Sequence, residues 1–343
     1  MYTITLGVDL GDRTSSYCQL DAGGTVTMRG KVATTAPALQ PFFAALPPMR
    51  VILEVGTHSP WVSRLAAAAG HEVIVANPRR VRLISAAVRK SDTLDAEALA
   101  RLGRLDPQLL APIRHRGEGA QADLALLRAR DALVRTRTLL INHVQGAVKS
   151  LGARVPAATA RTFARKARPI LPAALLPALT PVLETLEALN TQIAGADRAL
   201  VQVAATRYPE TALLRQIPGV GPITALCFVL TLEDPQRFPQ SRAVGAYLGL
   251  CPREHQSGER APQLRISKAG DSMLRRLLVT AAHYILGPFG PDTALRRWGL
   301  RLAERGGTNA KKRAVVAVAR KLATILHHLW ITGEVYQPLD RAA

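Results

Sequence analysis

The chain has 343 residues, with 45 Lys and Arg against 25 Asp and Glu, which gives a formal net charge of +20. This length exceeds one ordinary domain and predicts two or three. The basic excess is typical of proteins that bind a polyanion, nucleic acid above all. Of the 45 basic residues, 37 are Arg and 8 are Lys. That skew fits either bidentate phosphate binding or GC-rich codon usage.

The cysteines and the apolar runs limit the compartment. Cys18, Cys227 and Cys251 lack the spacing of a zinc site, and their odd number fits a reducing compartment better than a disulfide framework. The first residues do not have the pattern of a signal peptide, and no run approaches the roughly 18 apolar residues of a membrane span. We therefore expect a soluble, cytoplasmic protein without a membrane partner.

The N-terminal part, residues 1–107, alternates strand and helix patterns. Three strands come first, followed by helix, strand, helix, strand and helix, which is the order of a ribonuclease-H-like fold. Pro opens the last of these helices, a position that favours helix initiation. The segments in chain order are TITLGVDL, SSYCQLD, TVTMRGKVA, APALQPFFAAL, RVILEVG, SPWVSRLAAAAG, HEVIVAN and PRRVRLISAAVRK.

Four carboxylates stand at the ends of these elements. Asp9 ends the first strand and Glu54 ends the fourth, and these two strands are neighbours in a ribonuclease-H-like sheet. Asp92 and Asp95, in KSDTLDAEALARL, lie one helical turn apart on one face. Oxygen ligands suit hard cations, and two metals about 4 Å apart can promote phosphodiester chemistry. Each acid alone could be a turn former or a helix cap, so the set as a whole carries the prediction of a metal site.

Nucleotide hydrolysis is a weaker alternative. The chain has neither a G-x-x-x-x-G-K-[ST] loop nor a G-x-G-x-x-G motif after a strand. The segment GVDLGDRTSS does resemble the first phosphate loop of actin-like ATPases, which share the same core.

Residues 118–205 change to a heptad pattern. A long helical hairpin or coiled coil is predicted, interrupted by the Pro-containing stretch RARPILPAALLP. An ordinary helical bundle is the alternative, and either would serve as a spacer or an oligomerisation element. The apolar residues at seven-residue spacing are Leu127, Val134, Ile141 and Val148, then Leu179, Leu186, Ile193 and Leu200.

From residue 212 onward the pattern is mainly helical. In LLRQIPGVGPITALCFV, Gly219 and Gly221 stand between two apolar helices, as in a helix-hairpin-helix that offers backbone N–H groups to a phosphate. A tight turn that needs Gly for steric reasons is an equal alternative. The basic composition favours contact with a nucleic-acid backbone.

A serine loop follows, in AYLGLCPREHQSGERAPQLRISKAGDSMLRRLL. Ser257 and Gly258 lie among basic residues, with Arg275 and Arg276 on the amphipathic helix that comes next. A Ser-Gly pair in a polar loop is usually a flexible turn, but a hydroxyl among cations also suits a nucleophile aimed at a phosphate. The pattern leaves both readings open.

Taken together, these motifs resemble the transposases of bacterial insertion-sequence family 110, which are related to the Piv-type DNA invertases. The resemblance covers essentially the whole chain. It rests on GVDLG, LEVGT, VIVANPRRVR and KSDTLDAEALA in the first part, and on IPGVGPITA, AYLGLCPRE, SG and ISKAGDSMLRR in the last.

The resemblance implies a RuvC-like domain whose DEDD tetrad falls on Asp9, Glu54, Asp92 and Asp95. It implies Mg²⁺ there, with Mn²⁺ as the alternative, and Ser257 as a nucleophile that forms a covalent phosphoserine link to DNA. It further implies donor and target DNA as partners, a structured noncoding guide RNA, assembly as a dimer or tetramer, and a place at the bacterial nucleoid.

Two departures from the family pattern affect these expectations. Glu54 is followed by Val where many relatives have a small residue before Gly or Thr, and the serine loop carries an acid, Glu259. The second departure makes Ser267, in RISKAG, the fallback nucleophile.

The expected fold is α/β plus α: a ribonuclease-H-like (RuvC-like) mixed sheet, a helical coiled-coil segment and a mainly helical C-terminal transposase domain. The expected domains are residues 1–110, 111–205 and 206–343. A water-using RuvC-like nuclease of the junction-resolvase type and a non-catalytic nucleic-acid-binding protein are the competing hypotheses. The expected nucleic-acid contacts are Arg79, Arg80, Arg82, Lys90, Gly219, Gly221, Arg253, Arg265, Lys268, Arg275, Arg276, Lys311, Lys312 and Arg313.

Overall fold

The structure is a computed structural model that describes residues 4–77, 92–253, 264–307 and 309–339. The chain divides into two compact units, Met1–Gly117 and Glu118–Ala343. The predicted division into three domains stays a prediction. The predicted helix PRRVRLISAAVRK, residues 78–90, lies outside the described residues.

The first unit is built on a five-stranded mixed sheet. Its strands are β1 (Thr5–Asp9), β2 (Thr14–Leu20), β3 (Val26–Ala33), β4 (Arg50–Glu54) and β5 (Glu72–Ala76). Their order is β3-β2-β1-β4-β5, with antiparallel pairing among the first three and parallel pairing from β1 to β5. The predicted adjacency of the first and fourth strands is confirmed.

Helices cover both faces of this sheet. On one face, α1 (Ala36–Ala44) and α2 (Ser59–Ala68) pack over alternate residues of β1 and β4, including Val8 and Leu53. On the other face, α3 (Asp92–Leu105) packs against Ile52 and Cys18. Because side chains alternate across a strand, β1 and β4 are covered by helices on both of their faces. The predicted ribonuclease-H-like architecture is confirmed.

A long helical hairpin opens the second unit. It is formed by α4 (Glu118–Ser150) and α6 (Leu176–Arg207), with the short helix α5 (Phe163–Ala167) and two 3₁₀ turns between them. Arg130 pairs with Asp197, and Arg137 pairs with Asn190, so the two helices run antiparallel. The predicted heptad residues of α6 are all buried, whereas Val134 and Ile141 of α4 are half-buried.

The C-terminal helices pack around the base of this hairpin. They are α7 (Thr211–Leu214), α8 (Pro222–Leu232), α9 (Arg242–Tyr247), α10 (Ser272–Leu286), α11 (Ala294–Glu304) and α12 (Ala310–Thr332). One core cluster joins Leu127 and Leu200 of the hairpin to Phe228 of α8, Leu278 of α10 and Leu322 of α12. The predicted helical character of this part is therefore confirmed.

Helix α12 is long and apolar enough, by length and composition alone, to cross a membrane, but 56% of its apolar window is buried inside the protein. Its His327 is fully buried and is hydrogen-bonded to Ser241 and to the carbonyl oxygen of Pro235. These features are those of a core helix.

Candidate active site

Asp9 and Glu54 lie at the same edge of the sheet. The parallel register pairs Thr5 with Arg50 through to Val8 with Leu53, so the next residues of the two strands, Asp9 and Glu54, stand side by side. Side chains that are neighbours across a ladder point to one face. Both carboxylates are therefore carried on the face that α3 covers, as the sequence predicted.

Helix α3 carries the other two carboxylates in its first turn. Asp92 and Asp95 begin a stripe that continues through the buried residues Ala96, Leu99 and Gly103, which contact the sheet. The i, i+3 and i+4 spacing keeps this stripe on one side of the helix. The N-terminal end of a helix also stabilises negative charge. Packing of the stripe on the sheet thus carries Asp92 and Asp95 toward Asp9.

The charges of the other three acids affect the Asp9 carboxylate. The pKa of Asp9 is raised to about 6, first because burial removes the carboxylate from water, and then because Asp92, Asp95 and Glu54 are negative. Like charges in one place disfavour the ionised form. Among the described residues, no three His, Cys, Asp or Glu side chains stand close enough to hold a metal ion between them as they are.

The donor chemistry of this cluster fits a divalent cation. All four groups are carboxylates, which are the hard oxygen ligands that Mg²⁺ and Mn²⁺ prefer. A cation would offset the repulsion that raises the pKa of Asp9.

The loop after β4 adds polar residues that the sequence reasoning missed. Ser59 Oγ is hydrogen-bonded to the N–H and the C=O of Gly56 and lies 2.8 Å from His115 Nε2. His58 Nδ1 accepts a hydrogen bond from Trp61. The pKa of His115 is lowered by burial and by the nearby Arg64 and Arg116. These bonds fix the loop that follows Glu54.

Long sequence separation hid these contacts. Ser59 and His115 are 56 residues apart, and no local pattern links them. The available signal was the run of polar residues THS, which follows the strand that ends at Glu54 after only Val55 and Gly56. Polar residues at the carboxyl end of a strand often belong to a site.

Ser257 and four of the predicted nucleic-acid contacts, Arg79, Arg80, Arg82 and Lys90, lie outside the described residues. The residues that immediately precede and follow the serine loop are described. Arg253 N–H donates to the Arg265 carbonyl, and Ser267 N–H donates to the Cys251 carbonyl. An antiparallel bridge between Pro252 and Ile266 lies between these bonds. The serine loop is therefore carried on a short two-stranded stalk.

Two residues next to this stalk hold it in shape. Lys268 has a φ of 55°, in the left-handed region that non-glycine residues rarely occupy. Arg275 donates hydrogen bonds from Nη1 to the carbonyl oxygens of Leu248 and Ala269, on the two sides of the loop. Such strain and tethering are common beside functional loops. The Ser267 hydroxyl lies 3.4 Å from the N–H of Ala269.

The remaining predicted contacts have different surroundings. Gly219 has a φ of 88°, and a methyl group there would lie 3.0 Å from the Tyr284 ring, so the turn needs Gly for steric reasons. Gly221 is exposed before α8. Arg276 forms an ion pair with Asp131. The basic run at the start of α12 is exposed and comprises Lys311, Lys312 and Arg313.

Comparison with known proteins now decides the family. The model of a family described as "Transposase IS116/IS110/IS902 family" matches residues 211–294, and a DEDD transposase model of the IS110 type matches residues 6–152. The transposase for insertion sequence element IS1111A of Coxiella burnetii is 31% identical, over 97% of this chain and 91% of that protein. The chain belongs to the IS110 family of transposases.

Two further relatives are consistent with this family. The transposase for insertion sequence element IS1328 of Yersinia enterocolitica is 32% identical, over 98% of this chain and 99% of that protein. The pilin gene-inverting protein of Moraxella lacunata is 34% identical over 33% of this chain and 34% of its own length. The IS110 transposase described here is thus an enzyme of DNA transposition, and its DEDD domain suggests the use of a divalent metal.

Proposed function

We propose that this IS110 transposase cuts and rejoins DNA with Ser257 as the nucleophile and with Mg²⁺, or Mn²⁺, bound by the carboxylates Asp9, Glu54, Asp92 and Asp95. The observation that supports this proposal most is the strand register that sets Asp9 beside Glu54, on the sheet face against which α3 packs with Asp92 and Asp95 in its first turn. All four positions fall within residues 6–152, which match the DEDD transposase model.

The proposed reaction conserves the number of phosphodiester bonds. The Ser257 oxygen bonds to a DNA phosphorus and gives up its proton, while the bond from phosphorus to a deoxyribose oxygen breaks and that oxygen leaves as a hydroxyl. A hydroxyl from another strand end then attacks the phosphoserine, and the serine oxygen leaves and regains a proton. Because no bond energy is lost to water, the exchange needs no ATP and is reversible.

The residues of the chain have separate tasks in this scheme. The carboxylates would hold the cation, which when bound polarises phosphate oxygens as a Lewis acid. Arg253 and Lys268, beside the serine loop, would stabilise the negative charge that develops on the phosphate. The stalk formed by residues 251–253 and 265–267 would present Ser257.

The proposed partners are donor and target DNA, a structured guide RNA and further copies of the chain. The net charge of +20 supports a polyanionic partner. The long α4–α6 hairpin is the element that would pair two copies. In such an assembly the serine of one copy would act with the carboxylates of another. A nucleoid location in the cytoplasm follows from these partners.

A strand-cleavage assay tests this function. The protein would be incubated with end-labelled DNA that carries the ends of the element, with Mg²⁺ and with RNA transcribed from the flanking region, and the products would be run on a denaturing gel. Asp9→Asn should abolish cleavage. Asp21→Asn should retain it, because Asp21 lies in the β2–β3 turn at the other end of the sheet and accepts a hydrogen bond that Asn can also accept.

The same gel separates the competing mechanisms. A protein–DNA band that disappears in Ser257→Ala supports the serine mechanism. Free nicked DNA that persists in Ser257→Ala, with no such band, indicates a water-using nuclease. Cleavage that survives Asp9→Asn would contradict the assignment of the carboxylate site.

A further inference from the structure

Ser16 is the direct neighbour of Asp9 in the sheet. The antiparallel register of β1 and β2 pairs Asp9 with Ser16 and Gly7 with Cys18. Directly paired residues have their Cβ atoms about 4.5–5.5 Å apart on the same face. Cys18, two residues along on that face, packs against Ala96 of α3. The Ser16 side chain therefore faces the same layer as Asp9, beneath the first turn of α3.

Among the described residues, the Ser16 hydroxyl is buried without a hydrogen-bond partner. Ser16 is 1% exposed, and in the part of the chain that the structure describes its Oγ is one of two buried side-chain polar atoms that lack a hydrogen bond, the other being Nε of Arg137. Buried hydroxyl groups nearly always have a partner, and an unpaired one destabilises the fold. A ligand that brings polar atoms to this point would satisfy it.

The preceding residue provides a contrast. Ser15 is also fully buried, but it points to the opposite face, where its Oγ lies 2.8 Å from Thr34 Oγ1. The two adjacent serines are both buried, and they differ in whether the hydroxyl has a hydrogen-bond partner among the described residues. The hydroxyl away from the carboxylates is satisfied within the fold, whereas the hydroxyl beside Asp9 is not.

We propose that Ser16 is a positioning residue of the metal site, an inference that rests on metal binding by the carboxylates as proposed above. Its hydroxyl donates a hydrogen bond to the occupied site, either to the Asp9 carboxylate or to a water molecule that the cation brings with it. Mg²⁺ usually keeps several of its waters in a protein. Partners of this kind orient the ligands, and their loss typically weakens metal binding by 10-fold to 100-fold.

The hypothesis predicts opposite effects on stability and on metal binding. Ser16→Ala removes an unpaired polar group, so the metal-free variant should melt at the same temperature as the wild type or higher. The same change should weaken the binding of Mn²⁺ by about tenfold or more. Ser15→Ala should lower the melting temperature, because it removes a satisfied hydrogen bond, and should leave the Mn²⁺ affinity unchanged, because it leaves the metal site intact.

The test is calorimetric titration of the full-length protein with MnCl₂, together with thermal melting of the metal-free protein, for the wild type, Ser16→Ala, Ser16→Thr and Ser15→Ala. Recovery of affinity in Ser16→Thr, which keeps the hydroxyl, supports the proposal. A Ser16→Ala variant that binds Mn²⁺ as tightly as the wild type overturns it. If the wild type itself binds no Mn²⁺ while Asp9→Asn still abolishes cleavage, the proposed metal site fails, and the role of Ser16 fails with it.

Discussion

Gly7 lies against the backbone of Ala96, where a methyl group on Gly7 would come within 2.0 Å of the Ala96 carbonyl oxygen and 2.6 Å of the Ala100 nitrogen. No side chain larger than hydrogen fits between β1 and α3 at this point. Gly7 precedes Asp9 by two residues on the same face, and Ala96 follows Asp92 by one helical turn. This close approach therefore sets the separation of the carboxylates.

Gly7→Ala should move α3 away from the sheet and impair the site without changing any carboxylate. Overpacking of this kind typically costs about 1–3 kcal/mol, and we expect weaker Mn²⁺ binding as well as a lower melting temperature. Gly56→Ala is a matched control, because no atom of the described residues lies within 4 Å of the position that its methyl group would take. Unchanged metal affinity in Gly7→Ala would show that this contact does not position the carboxylates.

The pH dependence of stability should report the Asp9 carboxylate. Its pKa is about 6 in the folded protein against an ordinary 3.8, so between these values the folded state binds more protons than the unfolded state. Stability from this group is then lost as the pH rises through that window. Asp9→Asn should therefore gain stability relative to the wild type between pH 4 and pH 6, as measured by calorimetry.

Divalent metal should reverse that difference. Above the window, added Mg²⁺ should raise the melting temperature of the wild type but not that of Asp9→Asn, because the proposed metal site is complete only in the wild type. Asp21→Asn should show the same pH dependence of stability as the wild type and the same rise in melting temperature with Mg²⁺. If the stability difference between the wild type and Asp9→Asn in the absence of metal did not change with pH, the raised pKa of Asp9 would be contradicted.

The basic run at the start of α12 should contact DNA phosphates. Lys311, Lys312 and Arg313 are exposed at a helix N-terminus that has no acid in its first turn, a position that disfavours positive charge. Replacing all three by Gln should leave the fold as stable or more stable. It should also lower the log–log salt slope of duplex binding by about 0.9 for each phosphate that the variant no longer neutralises.

Fluorescence anisotropy at several salt concentrations measures that slope. Arg297→Gln provides the control, because the side chain of Arg297 is similarly exposed but is paired with Asp292. If the triple variant showed the same salt slope as the wild type, this basic run would not contact the DNA phosphates.

The buried His327 should stay neutral below the ordinary imidazole pKa. Burial lowers its pKa from 6.5, and its Nε2–H donates to the Pro235 carbonyl, so Nδ1 accepts from Ser241. The folded state then binds fewer protons than the unfolded state, and stability should decline as the pH falls below 6.5. A ring ¹⁵N NMR titration should show the Nε2–H tautomer in the folded protein with a midpoint below 6.5, whereas a midpoint at or above 6.5 would contradict this assignment.

The sequence allowed the carboxylate edge to be predicted because its signals are local. Buried strands that end at Asp9 and Glu54, and two acids spaced by one turn at Asp92 and Asp95, can be read from short windows once the strand order is assumed. Once the strand order is assumed, no further information is needed to place Asp9 beside Glu54. The neighbouring Ser16 gave no such signal, because an orphan hydroxyl is visible only when its surroundings are known.

Long-range contacts explain what the sequence could not predict. Arg275 was predicted to contact nucleic acid, which stays a prediction; nothing in the sequence indicated that its Nη1 also donates to the carbonyl oxygens of Leu248 and Ala269. Arg276 pairs with Asp131, 145 residues earlier in the chain. Exposed and tethered arginines share one local pattern, so only the fold separates them.

Covalent attachment of DNA to the serine loop is the most direct test of the proposed mechanism. The wild type, reacted with element-end DNA, Mg²⁺ and the flanking RNA, would be digested with nuclease and protease, and the nucleotide-bearing peptide would be mapped by mass spectrometry. We predict a nucleotide on Ser257 that is absent from Asp9→Asn. A nucleotide on Ser267 would show that Ser267, and not Ser257, is the nucleophile. Cleaved DNA without any nucleotide-bearing peptide would contradict the serine mechanism.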